Sequence, residues 1–327
     1  MLRFLLRRLA NYVLLLFIAV SLAFILASVS MDPRQAFDWT NPSLNRAAVN
    51  ATLTNYNINP ETSPLLRYSR WLKMVFGDWN WGFTPKGDSI NELMGTKVWV
   101  SLRLMTIGTA LGIIGGVVIG AWSAVRQYSK ADRIISFFAL LLISTPVLVL
   151  APSLQMVATW VNTTAGMPIF EFIGETGQHG EYFGAGLMDR MQHLVLPTLS
   201  LSLMQMASYS RYQRNLMLDT LGADYVRTAR AKGLRKGKAI RHHALRNAII
   251  PMATYFAFSV ALVFTGAAMT ERIYGWHGMG AYSVDSITAQ DINGTAAVVA
   301  FSGVCVLTGA LLSDILIAAI DPRVRTS

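Results

Sequence analysis

Mostly apolar residues form six long stretches along the chain, at positions 9–29, 99–125, 134–161, 193–212, 250–270 and 296–320. A helix needs about 20 such residues to cross a hydrocarbon core about 30 Å thick. Helices suit this setting because they satisfy their own backbone amides where no water is present. The pattern therefore predicts an all-α integral membrane protein with about six transmembrane helices.

The composition agrees with a membrane protein. Of the 327 residues, 53% are hydrophobic and 14% are charged, whereas soluble domains carry about 25% charged residues. The first apolar stretch follows Arg3, Arg7 and Arg8, as the core of a signal peptide would. Such cores run for only about 7 to 15 residues, so the longer stretch here predicts a retained anchor helix.

The charged residues alternate between the connections. Lysine and arginine collect at the N-terminus, in the second and fourth connections and in the tail, at 3–8, 126–133, 211–246 and 323–325. The connections at 162–192 and 271–291 carry mainly aspartate and glutamate. Because cytoplasmic loops are enriched in basic residues, both termini are predicted to be cytoplasmic. The connection at 30–98 is long enough to cross regardless of charge, which makes it a long outer loop between helices 1 and 2.

Part of that outer loop has helical spacing. Its apolar positions recur every three or four residues, at Leu65, Tyr68, Leu72, Val75 and Phe76. Arg67, Arg70 and Lys73 fall on another face, and Gly77 is placed to end the helix. The pattern predicts a helix that lies along the outer membrane surface or, equally well, packs on its own loop.

The second apolar stretch carries glycine at every fourth position. Gly108, Gly112, Gly116 and Gly120 give one helix face without side chains, which another helix can approach closely. We interpret this face as a site of static helix packing in preference to a sliding contact used in gating.

Two prolines interrupt the third apolar stretch. Pro146 and Pro152 each remove a helix hydrogen bond, and they predict a kinked helix over 134–161. Helices that line a pore are often kinked, but a kink by itself does not identify a pore.

The most basic connection spans 211–249. Ten lysine and arginine residues stand there against only Asp219 and Asp224. The bias of cytoplasmic loops and the attraction of anionic lipid headgroups explain this charge, so no nucleic acid partner is predicted. Residues 223–232 are predicted to form a short helix, and Gly233 suits the left-handed position that closes it.

Several segments together resemble the permease family of binding-protein-dependent ABC importers, in its peptide and nickel branch. They are DYVRTARAKGL and RHHALRNAIIP in the basic connection, with MLRFLLRRL, STPVLVLAP, HLVLPTLSL and DPRVR elsewhere. The run ERIYGWHGMG, followed by Asp285 and Asp291, is similar to that family's outer segment before the last helix. The resemblance covers nearly all of the chain.

The resemblance implies a function and partners. The chain would form half of a translocation pathway in the lipid bilayer of a bacterial or archaeal plasma membrane. A second related permease subunit, two ATPase subunits or domains and an external substrate-binding protein would complete the transporter. Peptides are the first choice of substrate, with nickel complexes or another small solute as the alternative.

The resemblance also implies that the basic connection docks into a groove of the ATPase. The residues carried over are Asp224, Tyr225, Arg227, Thr228, Ala229, Arg230, Ala231, Lys232 and Gly233. The broader importer family opens this motif with glutamate, whereas the position counted back from Gly233 is Arg227 here. The chain then divides into an anchor helix with its outer loop at 1–98 and a five-helix permease core at 99–327, which contains the coupling loop 211–249.

No catalytic, cofactor or metal site is predicted. The segment GLRKGKA lacks the glycine spacing and the following Ser or Thr of a phosphate loop, so ATP hydrolysis is expected in a partner. The five histidines show no metal-ligand spacing. An ion-coupled transporter, a channel and a membrane enzyme are the competing functions. Asp314 is the only clear carboxylate within a predicted span, whereas coupled carriers place ionisable groups near the midplane.

Overall fold

The structure is a computed structural model that describes residues 2–177 and 185–320. The segment DPRVR, which belongs to the family resemblance and contains Arg323 and Arg325, lies outside these ranges. The helices are α1 (Leu2–Ser30), α2 (Arg46–Asn55), α3 (Pro64–Asp78), α4 (Ile90–Val125), α5 (Lys130–Ser144), α6 (Val147–Ala165), α7 (Ala185–Leu221), α8 (Asp224–Ala231), α9 (Lys236–Ala239), α10 (Arg246–Ile273), α11 (Met279–Thr288) and α12 (Ile292–Ile320). Within the described ranges there is no strand, which confirms the all-α class.

Three helices of the described chain are long and apolar enough to cross a membrane. They are Leu6–Ser30, Ile90–Val125 and Ile292–Ala319, which contain the first and second predicted spans and nearly all of the sixth. The pair formed by α5 and α6 also passes this test if it counts as one bent span. These helices indicate a multi-pass membrane protein.

The third predicted span is broken at its first proline. The chain turns by 114° between α5 and α6, which corrects the prediction of one kinked helix over 134–161. Pro146 has no N–H and disfavours helical geometry in the preceding residue, and Thr145 is accordingly extended, with φ −94° and ψ 117°. Pro152 instead lies inside the continuous helix α6. A single proline therefore makes the break.

One compact unit of the chain comprises Met1–Leu102 and His277–Leu307. Its apolar core brings α1, the outer loop and the start of α12 together. Phe24 of α1 stacks on Trp71 of α3 with ring centroids 4.6 Å apart, and Trp81 meets the edge of Trp71 at 5.7 Å. The small residues Ala296 and Ala300 of α12 complete this core. The outer loop is thus a packed structure.

The orientation of α3 differs from the prediction. Arg67, predicted on a polar face, is only 1% exposed, and its Nη2 donates to the carbonyl of Ser28 at 2.6 Å. Leu65 and Phe76, predicted on the apolar face, are 70% and 71% exposed. The helix is rotated because Trp71, with its large apolar surface, takes the central place in the core. Packing on its own loop therefore holds for one face of α3.

The end of α3 also differs from the prediction. The helix continues through Gly77 to Asp78, and the left-handed residue is Trp79, with φ +51°. The amide of Asn80 donates to the carbonyl of Met74 at 3.0 Å and closes the turn. Gly77 is therefore an ordinary helical residue, and the predicted terminator is wrong by two positions.

Asp291 is a buried carboxylate in the same unit, just before α12. It accepts hydrogen bonds from the amide of Gly294 at 2.9 Å and from the hydroxyl of Tyr282 at 3.0 Å. Burial raises the pKa of Asp291 to about 6, against the lowering effect of these hydrogen bonds. Asp291 thereby ties α11 to the first turn of α12.

The second compact unit comprises Arg103–Trp276 and Thr308–Ser327. Helix α7 is central in it and packs against α5, α6 and α10. It extends beyond the predicted span 193–212 at both ends. Several polar residues of α7 are buried inside the unit, among them Ser200, Ser202 and Gln213. These polar residues face protein neighbours, which explains why α7 is less apolar than a helix surrounded by lipid.

Candidate coupling and helix-packing sites

The basic connection is shorter than predicted. Helix α7 continues to Leu221 and α10 begins at Arg246, so the connecting segment is 222–245 and not 211–249. It contains α8, the short α9 and a π-helix at Ile240–Leu245 that leads into α10. The predicted short helix is present as Asp224–Ala231.

One face of α8 is buried against the chain's own helices. Val226 and Ala229 are 3% and 8% exposed. They belong to an apolar group, called the alanine cluster here, whose other members are Ala124, Met217, Ala239, Ala244 and Ala248. The cluster joins α8 to the ends of α4, α7 and α10. A displacement of α8 would therefore act on three long helices at once.

The opposite face of α8 is exposed. Of the nine residues predicted to meet the ATPase, eight are exposed: Asp224, Tyr225, Arg227, Thr228, Arg230, Ala231, Lys232 and Gly233. Ala229 differs, because it packs into the alanine cluster and cannot meet a partner there. Arg227 and Asp224 approach to 3.9 Å, but in water such a pair contributes little to stability. The surface is mostly basic with one aromatic side chain.

Gly233 ends this segment in the predicted conformation. Its φ is +88°, in the left-handed region that glycine adopts without strain. Its amide donates to the carbonyl of Arg230 at 3.0 Å, and the amide of Leu234 donates to the carbonyl of Ala229 at 3.2 Å. A Cβ on Gly233 would meet no atom within 4 Å, so backbone strain alone limits substitution there.

The four predicted packing glycines face α7. A Cβ added at Gly108 would lie 3.1 Å from the Leu201 Cβ, and a Cβ at Gly112 would lie 2.7 Å from the Gln205 Cβ. A Cβ at Gly116 would lie 2.5 Å from the Tyr209 Cβ. A Cβ at Gly120 would press against the Ser210 carbonyl. These neighbours are atoms on or next to the α7 backbone, which cannot move aside. The backbones of α4 and α7 therefore approach more closely than a side chain at these positions allows.

An ion pair near the alanine cluster was missed by the sequence analysis. The Arg214 Nε and Nη2 donate to the two carboxylate oxygens of Asp132, at 2.7 and 2.9 Å. Ser123 also donates to Asp132, which is only 3% exposed. The available signal was the sequence Ser129-x-x-Asp132, since Ser129 caps α5 and accepts from the Asp132 amide at 3.2 Å. The ion pair joins α7 to the start of α5.

A second group that the sequence analysis missed consists of Glu171, Asp189 and His193. One ligand atom from each lies within 4.8 Å of the others, an arrangement that could hold a metal ion. Asp189 and His193 are four residues apart in α7, which was a usable signal for a shared helix face. Glu171 comes from the loop before α7, and no spacing rule connects it to them. The five histidines show no metal-ligand spacing along the sequence, and it is the fold that brings one of them, His193, beside two carboxylates.

A family model described as "Binding-protein-dependent transport system inner membrane component" matches residues 116–326. The chain belongs to this family. The match includes α8, the alanine cluster, the Asp132–Arg214 ion pair and the Glu171, Asp189 and His193 group, whereas the packing glycines Gly108 and Gly112 precede it.

Three relatives extend the match. The oligopeptide transport system permease protein OppB of Mycobacterium tuberculosis is 45% identical over 330 residues, which cover 100% of both chains. AppB of Bacillus subtilis, also named an oligopeptide permease, is 32% identical over 87% of both chains. The dipeptide permease DppB of Lactococcus lactis is 31% identical to the present chain, over 99% of the present chain and 100% of DppB. The resemblance drawn from the sequence motifs is thereby confirmed.

Proposed function

We propose that this permease forms half of the translocation pathway of an ATP-driven importer for peptides delivered by an external binding protein. The observation that carries the proposal is the 45% identity, over both full lengths, to a protein named an oligopeptide permease. Relatives named for oligopeptides or dipeptides also match most or all of the chain. A second related permease subunit forms the other half of the pathway.

The proposed topology has six spans with both termini in the cytoplasm. The six spans are α1, α4, the bent pair α5 and α6, α7, α10 and α12. Of these, α7 and α10 are the fourth and fifth spans. The alternation of basic and acidic connections supports this arrangement. Within the N-terminal part at 1–98, the anchor helix spans the membrane and the outer loop faces the binding protein, while the core at 99–327 carries the pathway. The membrane is the plasma membrane of a bacterium or an archaeon.

The exposed face of α8 is the proposed docking surface for an ATPase subunit. Tyr225, Arg227 and Arg230 offer one aromatic and two cationic side chains on a helix whose opposite face is fixed in the alanine cluster. Movement of the ATPase would displace α8, and the alanine cluster would transmit that displacement to α4, α7 and α10. Two ATPase subunits or domains, one for each permease, supply the energy.

Uptake of labelled peptides tests the function directly. Cells that lack the permease should lose uptake of labelled oligopeptides or dipeptides, and the wild-type gene should restore it. A labelled nickel complex and a free amino acid serve as the comparison solutes. Loss of nickel uptake with normal peptide uptake would overturn the proposed substrate but leave the family assignment unchanged.

A further inference from the structure

Glu171, Asp189 and His193 converge in the second unit from two separate elements. Glu171 lies in the loop that follows α6, and the other two lie in α7. The His193 Nε2 is 3.5 Å from the Glu171 Oε2, and the His193 Nδ1 is 3.3 Å from the Asp189 Oδ1. His193 and Asp189 are 2% and 5% exposed, and Glu171 is half-buried. Three potential ligand groups thus meet at a mostly buried point.

The hydrogen bond of the imidazole decides which nitrogen is available. The Nδ1 of His193 lies 2.9 Å from the backbone carbonyl of Asp189, which can only accept, so Nδ1 carries the proton. In the neutral ring the Nε2 then has a lone pair and points toward the Glu171 carboxylate. Histidine ligands in metal sites commonly have this arrangement, because a backbone acceptor for the other N–H fixes the ring. The Nε2 lone pair and the Glu171 Oε2 face one another across 3.5 Å, which favours a cation between them. Asp189 approaches from the Nδ1 side of the ring and offers one oxygen within 4.8 Å of the ligand atoms of the other two residues.

The loop that carries Glu171 is held in place by hydrogen bonds. Asn162 at the end of α6 accepts from the amides of Ile169 and Phe170, at 2.9 and 3.0 Å. The amide of Gly174 donates to the carbonyl of Tyr274 at 2.8 Å. Farther along the loop, Glu175 pairs with Arg103 at 2.8 Å. The position of Glu171 is therefore set by the fold before any ion binds.

Gly177 supplies both a hydrogen bond and the necessary space. Its amide lies 3.0 Å from each carboxylate oxygen of Asp189 and orients that group. A Cβ on Gly177 would lie 2.8 Å from the Glu171 Oε2 and 3.1 Å from the His193 Cε1. Any larger residue would therefore press into the space between the three side chains.

We infer that Glu171, Asp189 and His193 bind one divalent transition-metal cation, and that Zn²⁺ suits the site best. One imidazole nitrogen and two carboxylate oxygens are accepted Zn²⁺ ligands, whereas an imidazole ligand disfavours Mg²⁺ and Ca²⁺. Three protein ligands leave a fourth tetrahedral position for water. The ion is a resident one that joins the loop after α6 to α7, and the inference does not depend on which solute the permease carries.

Zinc binding by the full chain, purified from membranes with whatever subunits accompany it, tests the inference. After removal of metal by a chelator, the wild-type protein should take up one Zn²⁺ per chain, measured by elemental analysis and calorimetry. Glu171→Gln and His193→Gln should each weaken binding by more than about tenfold. Glu175→Gln is the matched control, because it changes a carboxylate of the same loop outside the cluster and its amide oxygen can still accept a hydrogen bond from Arg103.

Two further readouts separate the site from a merely structural role. Zn²⁺ should raise the midpoint of thermal unfolding in the wild type and in Glu175→Gln, but not in Glu171→Gln. Bound Co²⁺ should give a visible spectrum that changes when His193 is replaced. Glu171 is half-exposed, so Glu171→Gln should fold even if His193→Gln does not. If wild type and Glu171→Gln bind the same amount of Zn²⁺ with the same affinity, the inference is wrong.

Discussion

Arg214 of α7 donates two hydrogen bonds to Asp132 at the start of α5, one to each carboxylate oxygen. Asp132 is almost completely buried, whereas the Arg214 side chain is 21% exposed. Breaking a buried pair by removing one partner typically costs about 3 to 5 kcal/mol, because the other charge stays buried without compensation. The partial exposure of Arg214 places this pair toward the lower end of that range.

We therefore expect Arg214→Met to lower the free energy of unfolding by about 3 kcal/mol, measured by thermal or denaturant unfolding in detergent. Arg214→Lys should recover only part of the loss, because an ammonium cannot bind both carboxylate oxygens as a guanidinium does. The exposed residue Arg211 provides the control, and Arg211→Met should change stability little. Equal effects at the two arginines would contradict the importance of the pair.

Neighbouring glycines of α4 should respond differently to the same substitution. A Cβ at Gly116 would meet the Tyr209 Cβ at 2.5 Å and the Met206 carbonyl at 2.8 Å. A Cβ at Gly115 would meet only the side chain of Met206, beginning with its terminal methyl group, which can move away. Gly116→Ala should therefore reduce stability and assembly, whereas Gly115→Ala should have a small effect.

The measurement is the yield and unfolding midpoint of each variant after membrane extraction. Gly95→Ala adds a further control, since a Cβ there has no neighbour within 4 Å and alanine favours the helix. It should be neutral or slightly stabilising. If Gly116→Ala behaved like Gly95→Ala, the close contact between α4 and α7 would be excluded.

Asp291 predicts a pH dependence of stability. Its pKa is raised to about 6 in the folded chain, above an unfolded value of 3.8. The folded state therefore binds the extra proton between these values, and the free energy of unfolding falls as the pH rises from about 4 to 6, by about 3 kcal/mol in all. Above pH 6 the penalty for the buried charge is complete.

The variant Asp291→Asn should remove this dependence. Its amide oxygen can still accept from Gly294 or Tyr282, but no charge is buried at neutral pH. Unfolding midpoints measured from pH 4 to 8 should show the variant more stable than the wild type above pH 6 and similar to it near pH 4. Asp285→Asn, at an exposed position in α11, should follow the wild-type profile. A wild-type profile with no decrease across this range would contradict the raised pKa.

Docking of α8 can be separated from attraction to lipid. Gly233→Val would place a β-branched residue at φ +88°, which distorts the end of the segment without changing its charge. Removal of the charges at Arg235, Lys236 and Lys238 would weaken lipid attraction by about 1 kcal/mol per residue and leave α8 intact. Gly233→Val should uncouple ATP hydrolysis from uptake more severely than the triple change, measured in proteoliposomes.

The single cysteine allows a direct test of the same docking. In a Cys305→Ser background, Ala231→Cys or Tyr225→Cys should cross-link to single cysteines on the ATPase, since both positions are exposed. Ala229→Cys should not, because that position packs into the alanine cluster. Complexes that transport but give no cross-link at any exposed position of α8 would rule the surface out.

The sequence predicts well those features that depend on neighbours along the chain. The left-handed Gly233 follows from the backbone chemistry of a single residue. A distortion at Pro146 was predicted in the same way, but as a kink in one helix and not as a turn of 114° between two helices. The face of α3 could not be predicted in this way, because lipid and a protein core are both apolar. Spacing identified a helix at Leu65 and Phe76 but could not show which apolar residues meet Phe24 and which remain exposed.

Contacts between polar residues that are distant in the sequence also could not be predicted from the sequence. Arg214 reads as one more basic residue of a cytoplasmic connection until the fold places Asp132 beside it. Glu171 likewise reads as an acidic loop residue until the loop brings it to His193. Burial decides the chemistry of both groups, and burial of a charged residue depends on tertiary packing that periodicity does not encode.

The alanine cluster has a mechanical consequence. Alanine has no side-chain rotamers, so a surface built from Ala124, Ala229, Ala239, Ala244 and Ala248 can tilt without any side chain changing its conformation. The leucines that pack around these alanines, among them Leu221, Leu234 and Leu245, would have to repack only in a larger movement. If a partner displaced α8, the alanine contacts would therefore allow the segment 222–245 a small rotation against α4, α7 and α10.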